Sequence, residues 1–201
     1  MDHKPQERTA SDEQMQFAFT ILATLFLGLV GLGLSILLNA PLRPHLQFNI
    51  NDIFLGVIAT IPLAIFLVWF SRTKIPLFAD FRQSQIEFFA DSNFKFTRSR
   101  IIIMSLAAGF GEEILFRGFL QVWLSQFIPA ISAVLIAGIV FGLLHFRTAL
   151  YAIIASIVGI YLGVLFLFSG NLLTAITTHA VYDLVALEYT RRAIANLPRK
   201  T

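Results

Sequence analysis

The chain has no cysteine among its 201 residues and carries little charge. The absence of cysteine excludes thiol nucleophiles, thiolate metal sites and a disulfide-stapled secreted domain. Only 13% of the residues are charged, against about 25% in ordinary soluble proteins, and the mean hydropathy is +0.76. Intrinsic disorder is excluded as well, because disordered segments combine low hydrophobicity with high net charge. The composition therefore indicates an integral membrane protein.

Six apolar runs are predicted to cross the membrane as helices, since a helix needs roughly 20 residues to span about 30 Å of hydrocarbon. The predicted spans are residues 15–38, 53–70, 101–127, 130–146, 149–168 and 172–187. Short connections make the last four antiparallel neighbours. The expected fold class is all-α: a polytopic membrane helical bundle in which residues 15–70 form two N-terminal helices and residues 101–187 form a four-helix core.

The polar segments set the expected topology. Residues 1–14 are expected to form a solvated cytoplasmic tail and not a cleaved signal peptide. Residues 71–100 interleave aromatic and basic side chains, which predicts an amphipathic interfacial segment, although a loop also fits because the helical spacing fails after Ala90. The last segment, 188–201, is a basic tail. With the N-terminus in the cytoplasm, 13 of the 15 basic residues lie inside.

This asymmetry favours both termini in the cytoplasm, and we expect the plasma membrane of a prokaryote. The net charge of +3 is accounted for by topology, so no nucleic-acid partner is expected; the expected partners are the lipid bilayer and a membrane-associated substrate.

Only six ionisable side chains lie within the predicted spans. A charge at the bilayer centre costs about 2.5 to 3.5 kcal/mol even on lenient insertion scales, so such residues face a cavity or the protein interior. They are Glu112, Glu113 and Arg117 in the third span, His145 at the end of the fourth, and His179 and Asp183 in the sixth. We expect them to form one shared polar site that is open to the cytoplasm.

Helical spacing predicts how these side chains pair. Glu113 and Arg117 are four residues apart, so they share a face and can form an ion pair. Glu112 lies about 100° round the helix and is free for another partner. His179 and Asp183 also share a face. Three carboxylates against one arginine give a formal charge of −2, so a histidine or a carboxyl holds a proton, or a cation is bound.

Three motifs occur in order on successive apolar helices. They are Glu112-Glu113-x-x-x-Arg117, Phe141-x-x-x-His145 and His179-x-x-x-Asp183. Together they resemble the CPBP intramembrane proteases, the family of type II CAAX prenyl endopeptidases and bacteriocin-processing or abortive-infection proteins, over about residues 100 to 187. The resemblance implies a glutamate-dependent endopeptidase in which water attacks a peptide bond of a membrane-associated or lipidated substrate. It implies no cofactor.

The resemblance also implies roles, carried over by position. Glu112 is the expected general base, assisted by His145, and His179 and Asp183 are expected to lie where the oxyanion is stabilised. The residues expected to support the geometry of the site are Glu113, Arg117 and Phe141. The prenyl-protein proteases are similar but typically have Asn at the position of Asp183, and an amide can donate to an oxyanion where a carboxylate repels it. Asp183 is therefore expected either to stay protonated or to orient His179 from behind.

The same residues also have structural interpretations. Glu113 and Arg117 form a neutral buried pair, His145 caps a helix C-terminus, and His179 with Asp183 braces two helices. The glycines predicted to permit close helix packing are Gly28, Gly31, Gly33, Gly138 and Gly142.

Three other functions remain as hypotheses. One is a metal-dependent hydrolase with Glu112, His145 and His179 as ligands, although the chain lacks the spacing HExxH. Another is a membrane scaffold or bacteriocin-immunity protein without catalysis. The last is a proton-coupled transporter, although no internal repeat is evident.

Overall fold

The structure, a computed structural model, describes residues 10–92 and 94–197. Its helices are α1 (Ala10–Leu37), α2 (Ile50–Arg72), α3 (Pro76–Asp91), α4 (Arg98–Glu113), α5 (Val122–Leu124), α6 (Ala130–Leu144), α7 (Ala149–Ser169) and α8 (Leu172–Ala195). A π-helix, Ile114–Gln121, joins α4 to α5, and a short 3-10 helix, Arg43–His45, lies between α1 and α2. The described residues contain no strand, and the predicted all-α fold is confirmed.

Among the described residues, three helices are long and apolar enough to cross a membrane. They are Ser11–Leu37, Ile50–Arg72 and Ala149–Ser169, while the apolar helix Ala130–Leu144 is shorter. These helices indicate an integral membrane protein. The predicted count of six spans is not confirmed, because the helices that carry the ionisable residues are less apolar than these three.

The helix bounds differ in places from the segments read in the sequence. Helix α1 begins at Ala10, inside the stretch 1–14, of which residues 1–9 lie outside the described part. Helix α8 continues past Leu187 to Ala195. Between residues 71 and 100 the structure has the helix α3, which starts at Pro76, where a missing N–H costs no hydrogen bond.

Side-chain caps fix where the helices of the core begin. Thr97 accepts a hydrogen bond from Arg100 N at the start of α4, and Thr148 accepts one from Tyr151 N at the start of α7. Asn171 does the same for α8 through Leu173 N. Each cap satisfies a backbone donor that the first helical turn leaves unpaired. The caps therefore fix the starting points of three helices that carry or contact the site.

Close backbone contacts bring the helices of the core together. A Cβ atom on Gly109 would lie 2.9 Å from Ile176 O, so α4 and α8 approach more closely there than a larger residue permits. Gly28 and Gly31 place α1 against the backbone at Gly111 and Leu115. The close contact at Gly109 brings the end of α4, with its two glutamates, beside the middle of α8.

The packing prediction is confirmed for four glycines and wrong for one. Gly138 and Gly142 of α6 lie against the backbone of α7, as Gly28 and Gly31 of α1 lie against α4 and the π-helix. A Cβ on Gly33 would meet no atom of the described residues within 4 Å. Gly33 is on a face of α1 that no neighbouring helix covers, so its small size serves no helix contact.

Candidate active site

The six ionisable residues come together where α4, the π-helix, α6 and α8 meet. Glu112 and Glu113 end α4, Arg117 lies in the π-helix, His145 follows the last residue of α6, and His179 and Asp183 lie in α8. Every one of them has another member of the group within 4 Å. The structure thus brings together the residues that the sequence singles out as costly in a membrane.

Arg117, Glu113 and His179 form a continuous buried chain of hydrogen bonds, called here the buried relay. Glu113 Oε1 accepts from Arg117 Nη1 at 2.6 Å and from His179 Nδ1 at 2.8 Å. Arg117 Nη2 donates to Gly159 O of α7 at 2.6 Å. The side chains of Arg117 and Glu113 are fully buried. A buried charge is tolerated only with such partners, so the relay fixes its members in one arrangement.

The relay determines which nitrogen of His179 faces the cavity. The carboxylate of Glu113, paired with Arg117, can only accept a hydrogen bond, so Nδ1 of His179 carries the proton. Nε2 then points toward Glu112 and Asp183, at 3.9 Å and 3.5 Å. Glu113, not Asp183, occupies the position behind the ring.

Phe141 supports the relay from α6. Its ring lies under the guanidinium of Arg117, with 4.7 Å between Cζ and the ring centroid, a cation–π geometry. The same ring is 4.4 Å from that of His145 and 5.9 Å from that of His179, measured between centroids. Phe141 therefore packs against both histidines.

Glu112, His145 and Asp183 form a second group, called here the rim. Glu112 Oε2 is 3.7 Å from His145 Nε2, longer than a direct charge-assisted hydrogen bond of about 2.8 Å. This oxygen is buried and has no hydrogen-bond partner in the described part of the chain. The side chains of His145 and Asp183 are 28% and 29% exposed, whereas that of His179 is 6% exposed. The rim is where the site has unused hydrogen-bonding capacity.

His145 both caps the C-terminus of α6 and faces Glu112 in the site. Its Nδ1 donates to Phe141 O at 2.8 Å, one of the last carbonyls of α6, which is the capping contact. A carbonyl can only accept, so the proton is on Nδ1 and Nε2 is left to face Glu112. The cap fixes the ring orientation and does not exclude a role in the site.

A cavity of about 290 Å³ opens beside the rim. Its walls come from α2, α3, α7 and α8, and its polar lining includes all of the rim and His179. Six further polar side chains that the sequence analysis did not single out also line it: Arg82 and Gln85 of α3, Tyr151 of α7, and Tyr182, Tyr189 and Thr190 of α8. Glu112 thus lies at the wall of a cavity with a mixed polar and apolar lining.

A second buried polar contact also escaped the sequence analysis. Gln121 Nε2 donates to Gly163 O at 3.1 Å, parallel to the bond from Arg117 to Gly159 O. The two donors are four residues apart in the π-helix, and the two acceptors are four residues apart in α7. Two parallel bonds therefore fasten the π-helix to α7. Gln121 was missed because the sequence analysis looked for charged residues, and an amide is uncharged. A polar side chain in an apolar run nevertheless needs a hydrogen-bond partner when it is buried, and this requirement could have singled it out.

The described residues contain no group of three or more His, Asp or Glu side chains arranged to hold a metal ion. Glu112, His145 and His179, the ligands considered for a metal-dependent hydrolase, lie at 3.7 and 3.9 Å between their nearest nitrogen and oxygen atoms.

Comparison with known proteins agrees with the three motifs. Residues 95–185 match the family described as type II CAAX prenyl endopeptidase Rce1-like, and this region contains all six ionisable residues of the site. The resemblance read from the motifs is therefore confirmed over this region.

One curated relative is an uncharacterized protein, YpbD, of Bacillus subtilis (strain 168). It is 33% identical over 88 residues, which are 42% of this chain and 42% of that protein. The chain thus spans less than half of the length of the relative that it matches. No solved structure matches the chain.

Proposed function

We propose, from the premise that residues 95–185 form a region of the Rce1-like family, that the protein is an intramembrane endopeptidase. It hydrolyses a peptide bond of a membrane-associated or lipidated substrate with water activated by a glutamate and a histidine. The observation that carries the proposal is the pair Glu112 and His145, two acid–base groups 3.7 Å apart at the wall of a cavity. In the proposed mechanism Glu112 is the base and His145 its assistant.

The proposed attack uses a water molecule between Glu112 Oε2 and His145 Nε2. Their separation suits a bridging water, because it is too long for a direct hydrogen bond. Glu112 takes one proton while the water oxygen bonds to the scissile carbonyl carbon, and it later gives that proton to the leaving amine as the C–N bond breaks. His145 accepts a hydrogen bond from the water at Nε2 and orients it.

The proposed oxyanion site is at His179. With protons on both nitrogens, the ring donates Nδ1–H to Glu113 and Nε2–H to the developing oxyanion. The buried relay then holds the ring so that no reorientation is needed during the reaction. Asp183, 3.5 Å from Nε2, is compatible with this role when it carries a proton and donates an O–H.

We also propose that both termini lie in the cytoplasm and that the cavity opens on that side. The support is the distribution of basic residues, 13 of 15 of which lie inside in this orientation. The water and the released peptide then exchange with the cytoplasm. Cysteine residues introduced singly into the tails, labelled with a membrane-impermeant maleimide, report the orientation directly because the chain has no cysteine.

The test is a comparison of Glu112→Gln with the wild type in detergent, using a library of membrane-tethered peptides and mass spectrometry of the products. We expect cleavage to fall by roughly 10²- to 10⁴-fold, the usual contribution of a general base. Glu87→Gln is the matched control, because Glu87 lies on the exposed face of α3 and should leave the rate unchanged. Wild-type rates in Glu112→Gln would overturn the glutamate mechanism.

A further inference from the structure

Helix α3 forms part of the cavity wall and contributes two polar side chains to it. Arg82 and Gln85 both line the cavity, among apolar neighbours of the same helix such as Ile86. They are three residues apart, so they lie one turn apart on one helix face. Neither takes part in the chemistry proposed above.

Arg82 has donors to spare. Its Nη1 donates to Phe70 O at 2.6 Å and to Thr73 O at 3.2 Å, which fastens α3 to the end of α2. A guanidinium has five N–H donors, so those on Nε and Nη2 are not used in these bonds. Among the described residues no carboxylate forms an ion pair with Arg82. A partly buried cation without an anion is an uncompensated charge at the cavity wall.

Gln85 has an unsatisfied donor at the same wall. Its Nε2 is buried and has no hydrogen-bond partner in the described part of the chain. Leaving a buried donor unpaired costs about 1–3 kcal/mol, which a bound acceptor would recover. Arg82 and Gln85 thus line one cavity, and each has donors without a partner among the described residues.

The rim contributes groups of the opposite polarity to the same cavity. Glu112 and Asp183 supply two carboxyl groups there, while the α3 side supplies a guanidinium and an amide. An anionic group on a substrate is drawn to the α3 side and away from the rim. In a site partly shielded from water this difference orients a peptide chain.

We propose that Arg82 and Gln85 form a carboxylate-binding subsite for the peptide substrate. The proposal rests on the proposed function and adds a substrate class: peptides with a carboxylate close to the scissile bond. The guanidinium binds the carboxylate through its planar fork and the amide of Gln85 adds a third hydrogen bond. The carboxylate belongs either to a free C-terminus or to an acidic side chain.

Binding is measured in the Glu112→Gln background, where the probe is not cleaved. The probes are three N-acylated apolar pentapeptides: one with a free C-terminal carboxylate, one amidated, and one amidated with a glutamate as its last residue. We expect the free-carboxylate peptide to bind on the order of 10-fold more tightly than the plain amidated one, as for a charged hydrogen bond. Equally tight binding of the glutamate peptide means that the subsite accepts a carboxylate from either source; weak binding of the glutamate peptide assigns the subsite to the C-terminus.

Three added variants test the two residues. Arg82→Gln should abolish the preference, and Gln85→Glu should reverse it by placing a carboxylate at the subsite. Gln83→Glu is the matched control, since it makes the same change on the exposed face of the same helix and should leave the preference intact. Because Arg82 also fastens α3, the thermal unfolding midpoint of each variant is measured, and Gln85→Glu gives the answer if Arg82→Gln unfolds.

Equal binding of all three peptides in the Glu112→Gln protein would overturn the subsite. A preference for carboxylate peptides without any hydrolysis by the wild type would instead overturn the proposed function and leave the subsite standing. Hydrolysis by the wild type without a preference for carboxylate peptides would overturn the subsite and leave the proposed function standing. The two proposals therefore fail through different measurements.

Discussion

The two adjacent glutamates of α4 are in contrasting environments. Glu113 is fully buried and shares one oxygen between Arg117 and His179 at 2.6 and 2.8 Å. Glu112 faces the cavity, and its nearest basic atoms are at 3.7 and 3.9 Å. Glu113 therefore has its partners within the protein. The neighbouring Glu112 has an oxygen without a hydrogen-bond partner among the described residues.

This difference separates support from chemistry. The buried relay has short hydrogen bonds and little exposure, so it holds its members in one arrangement. The rim has long separations and partial exposure, so it can bind water and substrate but cannot hold itself in place. A site that must be both precise and accessible uses one group for each requirement.

The largest expected effect comes from breaking the relay at Arg117. Arg117→Met leaves the carboxylate of Glu113 buried with a single donor, and we expect the free energy of unfolding to fall by about 3–5 kcal/mol. Denaturant unfolding in detergent measures the loss. In the double variant with Glu113→Gln the uncompensated charge is gone, so part of the stability should return; an equally unstable double variant would mean that packing and not charge sets the cost.

Replacing each of the two histidines in turn tests the division of the site into relay and rim. His179→Gln should lower both peptide cleavage and stability, the latter by about 1–3 kcal/mol, because the hydrogen bond to Glu113 is weakened or lost. His145→Gln should lower cleavage by roughly 10²-fold with little change in stability, since His145 belongs to the rim. Cleavage rates and unfolding midpoints are measured on the same preparations. Equal loss of stability in both variants would contradict the division into relay and rim.

A smaller effect is expected at Asp183. Asp183→Asn keeps the shape of the side chain and supplies an amide donor toward an oxyanion beside His179, so cleavage should stay within a few-fold of the wild type. Asp183→Leu removes the polar group and should lower cleavage more than Asp183→Asn does. Steady-state rates on one cleaved peptide decide between them. If the asparagine variant were as inactive as the leucine variant, the carboxyl group itself would be needed.

The smallest effect is expected from removing metal ions. Incubation with a chelator, followed by elemental analysis, should leave cleavage unchanged because Glu112 and His145 activate water without a metal in the proposed mechanism. Activity lost with the chelator and restored by one divalent metal would instead favour the metal-dependent hydrolase. The experiment therefore distinguishes water activation by the side chains of the rim from water activation by a bound metal ion.

The sequence predicts much of the site because charge is scarce in it. Six ionisable residues stand out in apolar runs, and the spacing of Glu113 and Arg117 predicts their ion pair without any knowledge of the fold. The bond from Glu113 to His179 joins residues 66 positions apart. It depends on how closely α4 and α8 approach at Gly109, which periodicity along one helix does not encode.

Other features were missed because their local signals are weak. Gln121 carries no charge, and the π-helix from Ile114 to Gln121 is made of ordinary helix-forming residues. Helix α3 was expected only as an interfacial segment, and its contact with the cavity through Arg82 and Gln85 depends on tertiary packing. Spacing along the chain thus predicts partners within a helix, while partners between helices require the structure.

The geometry of the site also depends on the number of residues in the π-helix. A π-helix closes its hydrogen bonds over one more residue than an α-helix, so the segment 114–121 is equivalent to an α-helix with an insertion. Deleting one residue there would leave the apolar composition intact and allow the segment to become α-helical, which changes the positions of Arg117 and Gln121 round the helix relative to Glu112. An alignment gap of one position inside this segment would therefore mark relatives in which the anchoring of the helix to α7 has been rebuilt, even where all three motifs are retained.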